Sequence, residues 1–345
     1  MRLLVVAVVV GVAVIGLRGR LPAAGDVGSA LAGADLRWIL LAGVLQFVSI
    51  SALALQQRRL LHPLGARLRR GHALAIVLAG TALSISVPAG PAVATTFTIR
   101  KYEQAGATRE AAAATVIVSG LASIGGLTLL YVGGGGAIVV TRDPAISLNW
   151  QPLVVVVVGL AAFTTVAVLA GRRWISRPSP GGTDVTGGRA SRYLRSVLNS
   201  ARDGWRVGAG FRVHDWTAAL GYTAIKWLAD LACLIATVRA LDLPVGIAAL
   251  TGVYLSVQIV RQVPLTPGGI GVIETALAAG LIAAGTTDIG RAAAAVLIYR
   301  LLSCWLIIPV GGIAAVTLRR TRRQAADAHP AEHVTATTGA SALDG

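Results

Sequence analysis

The chain has 345 residues, 55% of them hydrophobic and only 13% charged, with a mean hydropathy of +0.72. Soluble domains carry about 25% charged residues and membrane β-barrels show short alternating segments, so this composition excludes both and predicts an all-α, polytopic membrane protein. The net charge of +16 is almost entirely arginine, with Lys101 and Lys226 the only lysines. It sits in short loops beside apolar spans, which is the pattern of cytoplasmic loops and anionic headgroups rather than of a nucleic-acid site.

Residues 1–17 combine a short basic start with an uncharged run. This resembles a signal peptide, but Arg18-Gly19-Arg20 is a poor cleavage site, and the segment reads as a short first span. A second span covers 38–57. Arg58, Arg59, Arg67, Arg69 and Arg70 then crowd one loop, and nine arginines between Arg172 and Arg212 fill another. Three long apolar stretches separate these loops: 73–99, 111–141 and 144–171. Three crossings would leave one basic loop outside. The conflict disappears if 73–99 enters the membrane and returns to the same side, and its Val87-Pro88-Ala89-Gly90-Pro91 break supplies the reversal. Proline lacks the N–H and clashes with the preceding turn. Arg100 and Lys101 then also face the cytoplasm, where they contact headgroups or merely snorkel.

The basic loop of 172–215 opens with a Pro/Ser/Gly-rich linker at 178–188 and continues into 189–211, where Tyr193, Leu194, Trp205 and others alternate with arginines. That pattern predicts an amphipathic helix on the membrane surface. In the next span Lys226 and Asp230 lie one helical turn apart and are expected to form a local ion pair. The short uncharged-on-balance segments 142–151 and 239–242 are expected outside.

A second break, Val263-Pro264-Leu265-Thr266-Pro267-Gly268-Gly269-Ile270-Gly271, lies within 244–287. That region is either two crossings or a hairpin inverting the first. The total is six firm spans, or eight if it crosses twice. Thr266 suits a helix N-cap and Pro267 the first helical position. The glycines leave backbone N–H groups unobstructed, so the segment is either an anion-binding helix start or a plain turn between helices. Glu274 follows in the first turn, where it complements the helix dipole or pairs with Arg300 or Arg261. Arg261, Gln258 and Gln262 precede the break and either line a polar cavity or mark a helix end. Arg300 lies deep in the last span, with eight uncharged residues before it and eighteen after. A buried arginine there costs at least about 2.5 kcal/mol and needs a partner. Tyr254 and Tyr299 read as packing residues. The domain division is a membrane unit at 1–323, followed by a disordered polar tail at 324–345.

Cys233 and Cys304 sit in apolar runs and the five histidines are scattered, so no metal site is expected. No nucleophile–base pair or phosphate-loop motif occurs, so neither an enzyme nor an ATP-driven pump is expected, and no cofactor is implied.

Pro264 through Glu274, with Tyr299-Arg300 behind it, resembles the signature of the lysylphosphatidylglycerol synthase transmembrane region, a family also called flippase-like. Val87-Pro88 through Arg100-Lys101-Tyr102 and Gly106 is similar to that family's first proline-containing segment. The resemblance covers most of 1–320. It implies an integral protein of the bacterial inner membrane that translocates a lipid or assists its translocation, while the arginine-rich loops and tail place both termini in the cytoplasm. The site residues it implies are Pro264, Pro267, Gly268, Gly269, Gly271, Glu274 and Arg300. To these the breaks and their flanking charges add Thr266, Arg261, Pro88, Pro91 and Arg100. The expected partner is a phospholipid with an anionic headgroup, together with an envelope-synthesis protein or a second copy of the chain. The chain departs from the family where a first-half glutamate and a following arginine would stand, since it reads Ala92-Val93-Ala94 and Val118-Ser119-Gly120 there. With no soluble aminoacyl-transferase domain in the sequence, synthesis of the aminoacylated lipid is not expected. The alternative function is a non-transporting scaffold for envelope glycolipid synthesis.

Overall fold

A computed structural model describes residue 29 and residues 32–87, 89–141, 203–261 and 267–327. Every regular element among them is helical. In chain order the helices are α1 (Leu36–Leu61), α2 (Arg70–Ser86), α3 (Gly90–Gln104), α4 (Arg109–Thr141), α5 (Val213–Ala240), α6 (Ile247–Arg261), α7 (Val272–Ala283), α8 (Ile289–Arg300) and α9 (Ile307–Asp327). Four stretches are long and apolar enough to cross a bilayer: Leu36–Leu64, Arg109–Gly134, Val213–Ala240 and Ile289–Arg320. The other two expected spans, 1–17 and 144–171, lie outside the described residues, as do the linker at 178–188 and the tail from 328.

Local chemistry sets the helix boundaries. Asp35 caps α1, its carboxylate accepting from the Arg37 N–H at 2.8 Å. Asp288 caps α8 through the Arg291 N–H at 2.9 Å. α2 stops at Val87, whose extended backbone (φ −121°, ψ 138°) is what a following proline enforces. α3 starts with Pro91 in its first turn, where the missing N–H does no harm. α8 and α9 are joined by a π-helical turn, Leu301–Trp305, with the Leu306 N–H reaching back to the Leu301 carbonyl at 2.8 Å. Pro309 removes the N–H that would have bonded the Trp305 carbonyl, and the helix changes pitch just before it.

The long helices carry large apolar side chains on their outer faces: Leu40, Val44 and Phe47 on α1, Ile225 and Leu228 on α5, and Leu306, Val310 and Ile313 on the stretch entering α9. These suit contact with acyl chains. Polar side chains stitch the inner faces together. Gln56 of α1 donates to the Ala219 carbonyl and Thr223 of α5 at 3.1 and 2.9 Å and accepts from Ser119 of α4 at 3.3 Å. Tyr131 of α4 donates to the Leu255 carbonyl of α6 at 2.6 Å. Such bonds need no water, which the bilayer core lacks.

The short helices pair off. α2 packs on α3, and α6 packs on α7. At about 1.5 Å per residue, even the 17-residue α2 is only about 25 Å long, short of the roughly 30 Å hydrocarbon core. Residues 203–209 are helical, but this end of the expected surface helix leans on the bundle. A Cβ added at Gly204 would lie 2.8 Å from Ala113, and one at Gly208 would lie 2.9 Å from Val118, both on α4. Residues 189–202 lie outside the described residues.

Candidate functional site: a cavity between two helix breaks

The tips of the two short-helix pairs meet. A Cβ on Gly268, in the second break, would approach the Ile85 side chain of α2 to 2.7 Å. Beside this contact lies a cavity of about 590 Å³. The first break lines it with Val87, Ala89, Gly90 and Pro91, and the second with Gly268, Gly269, Val272 and Ile273. Lys226, Asp230, Arg261 and Arg300 supply the charge, and Gln46, Ser49, Thr81, Ser84 and Ser303 add uncharged polar groups.

Among the described residues, the first break is fixed by backbone geometry. Ala89 has left-handed dihedrals (φ 56°, ψ 27°), and Gly90 is held so close to the chain that a Cβ would overlap the Ser84 carbonyl. Only glycine fits there.

The second break is braced by charge. Gly268, Gly269 and Gly271 all have positive φ (63°, 67° and 85°). Arg300, 1% exposed, donates from Nε to Glu274 Oε1 at 2.6 Å and from its terminal amino group to the Gly268 carbonyl at 3.0 Å. Glu274 Oε2 accepts the Gly271 N–H at 2.7 Å. One ion pair therefore ties α8 to the carbonyl before the turn and to the N–H at the start of α7. Two expectations are corrected here. The N-cap of α7 is Gly271 rather than Thr266, and Pro267 opens a separate 3-10 turn, Pro267–Gly269. The anion at this helix start is the protein's own Glu274, so the Gly271 amide is already engaged rather than open to a ligand.

A second ion pair faces the same cavity. Asp230 Oδ2 accepts the hydroxyls of Tyr254 at 2.7 Å and Tyr299 at 3.2 Å and lies 3.7 Å from Arg261. Arg261 also reaches the buried Gln258 at 3.5 Å. The expected Lys226–Asp230 pair is not formed. The Lys226 ammonium instead lies 3.3 Å from the centre of the Trp227 ring, and no described carboxylate is within ion-pair distance of it. Tyr254 and Tyr299 are ligands of Asp230 rather than mere packing. A phenol buried in a membrane span must find an acceptor, and that signal was present in the sequence.

Of the sequence-derived site residues, Pro91, Gly268, Gly269, Arg261 and Arg300 line the cavity. Gly271 and Glu274 stand behind it as braces. Pro267 opens the turn that carries Gly268. Pro88, Pro264 and Thr266 lie outside the described residues. Arg100 is not among the lining residues: it sits exposed near the far end of α3, because α3 runs outward from the break for most of its length first. Gln46, Ser49, Lys226 and Ser303 were not expected. Ser303 enters because the π-helical turn shifts the register of the last span, which hydropathy does not reveal. Among the described residues no cluster could hold a metal ion.

The chain belongs to the family described as lysylphosphatidylglycerol synthase TM region, whose model matches residues 2–311. It is therefore a multi-pass membrane protein related to lipid metabolism. A search of curated proteins finds no match.

Proposed function

We propose that the protein moves a phospholipid between leaflets of the bacterial plasma membrane, with both termini cytoplasmic, and performs no covalent chemistry. The observation that carries this reading is the cavity of about 590 Å³ where the two helix breaks meet, lined by three cations and one carboxylate. Its volume suits a headgroup. Irregular backbone at membrane depth is tolerated where it is buried in protein or lines a polar hollow, and paired broken segments at the centre of a bundle are how membrane transporters build substrate sites. The short α2–α3 and α6–α7 pairs act as two opposed re-entrant hairpins whose tips enclose the headgroup, while the acyl chains stay against the apolar outer faces of the long helices. Buried arginines lower the barrier that a phosphate meets in hydrocarbon. The apolar, helical walls keep bulk water from following it.

The test is a leaflet assay with purified protein in liposomes containing a tail-labelled fluorescent phospholipid, using an impermeant quencher to report the accessible leaflet. Labelled lipid should become accessible faster than in protein-free vesicles, and Glu274→Ala and Arg300→Ala should remove the increment. Rates equal to those of empty vesicles overturn the reading in favour of a non-transporting scaffold.

A further inference from the structure

The cavity holds three polar groups whose bonding is unfinished. Each arginine at the site is matched to a carboxylate: Arg300 to Glu274 at 2.6 Å and Arg261 to Asp230 at 3.7 Å. Lys226 forms no ion pair among the described residues and rests against the face of Trp227, and Ser49 fixes its backbone, donating to the Lys226 carbonyl at 3.0 Å. Gln46 lies one helical turn before Ser49 on α1, so the two share a face. Gln46 is 7% exposed and Ser303 9%. The Gln46 carbonyl oxygen and the Ser303 hydroxyl are buried with no hydrogen-bond partner among the described residues. Both line the cavity with Lys226. An orphaned buried polar atom costs about 1–3 kcal/mol. Two at one cavity, beside a cation with no ion pair among the described residues, describe the complement of a ligand.

We propose that Lys226, Ser303 and Gln46 form a headgroup subsite for a phosphodiester lipid whose headgroup carries hydroxyls and no ammonium. Lys226 and the Ser303 hydroxyl hold the phosphate. The Gln46 carbonyl accepts from a headgroup hydroxyl. The charge balance among the described residues sets the selectivity: three cations face two carboxylates, so one phosphodiester neutralises the excess, whereas a headgroup ammonium would restore a net positive charge in a low-dielectric cavity, with both carboxylates already paired. This deepens the proposed function and rests on it for the source of the phosphate, since free phosphate shares the same chemistry.

The experiment uses the full chain in vesicles of phosphatidylcholine with trace tail-labelled phosphatidylglycerol, phosphatidylethanolamine or phosphatidylmethanol, the last being a phosphodiester with no headgroup hydroxyl. Phosphatidylglycerol should cross at least ten-fold faster than phosphatidylethanolamine. Lys226→Gln should collapse that preference and Lys226→Arg should keep it. Gln46→Leu should slow phosphatidylglycerol several-fold and leave phosphatidylmethanol unchanged. Equal rates for phosphatidylglycerol and phosphatidylethanolamine, or a preference that survives Lys226→Gln, overturn the subsite while translocation stands. If no lipid crosses faster than in empty vesicles, the translocation reading fails and binding decides the subsite by itself. Lys226-dependent retention of phosphatidylglycerol over phosphatidylethanolamine from equimolar vesicles, read by native mass spectrometry, supports it, and retention without preference overturns it. Inorganic phosphate at millimolar concentration that displaces the retained phosphatidylglycerol as well as glycerophosphoglycerol does would overturn the lipid as the source.

Discussion

The two helix breaks face one cavity and share a Pro-x-x-Pro sequence, yet they are held open by different forces. At the first, around Ala89 and Gly90, the described residues provide no ion pair. The turn is fixed by a left-handed alanine and by a glycine against the Ser84 carbonyl. At the second, Arg300 and Glu274 grip the backbone on both sides of the turn, at Gly268 and Gly271. Steric fixing tolerates almost no change of side chain and is indifferent to charge. Ionic fixing is sensitive to charge and places a guanidinium at the cavity wall. With the uncharged Ala92-Val93-Ala94 behind it, the first break is a steric cap, and the charge of the cavity comes from the flanks of the second break, from α8 and from α5.

The largest effect should come from breaking the ionic side of that contrast. Arg300→Ala leaves the largely covered Glu274 carboxylate without its ion-pair partner, a loss of about 3 kcal/mol. The melting temperature of the detergent-purified protein should fall by many degrees, and transport should vanish. Replacing both partners by apolar residues, Arg300→Met with Glu274→Leu, should recover part of the stability, because no lone charge remains although the Gly268 carbonyl and the Gly271 N–H lose their partners, but none of the transport. Recovered transport in the double variant would reduce the pair to a structural brace with no part in the lipid path.

The two breaks also differ in how legible they were. The Pro-x-x-Pro runs and the solitary charge of Arg300 pointed to both turns and to the need for an ion pair, because a proline inside a span and an arginine deep in a helix each carry a large cost that sequence alone displays. Glu274 was legible as the other end, but only as one of two alternatives: the sequence offered it Arg300 or Arg261, and the structure gives it Arg300. Asp230 illustrates why: one helical turn from Lys226 it has an adequate local partner, yet it takes Arg261 and two tyrosines from other helices. Helical spacing shows which side chains share a face but not what arrives opposite. The π-helical turn that delivers Ser303 was equally hidden, since Leu301–Trp305 has the same apolar character in either helix type.

The steric side should yield intermediate losses. Gly90→Ala forces a methyl group into the Ser84 carbonyl and should cost about 1–3 kcal/mol, with transport reduced roughly in step with the folded fraction. A variant that melts normally and transports normally would mean that the first break is looser than described. Tyr254→Phe removes the shorter of the two hydroxyl bonds to Asp230 and should cost about 1–2 kcal/mol, read as a drop in melting temperature with phospholipid preference retained, since Lys226 is untouched.

The smallest effect belongs to Arg100, and it sharpens where the first half of the site ends. Arg100 follows the first break in sequence and carries a charge of the sign expected at the cavity. If proximity along the chain were enough, Arg100→Ala would weaken lipid movement. The geometry argues otherwise. From Gly90 to Arg100 α3 makes nearly three turns, roughly 15 Å at 1.5 Å per residue, and carries the guanidinium to an exposed position at its far end. An exposed side chain without a described partner contributes within about 0.5 kcal/mol. Arg100→Ala should therefore leave melting and the leaflet-assay rate unchanged in vesicles of neutral lipid. With anionic vesicles a modest drop in rate, abolished by salt, would mark Arg100 as a headgroup contact outside the cavity. A salt-independent loss of the same size as that of Arg300→Ala would instead extend the site along α3 and erase the distinction between a steric cap and a charged wall.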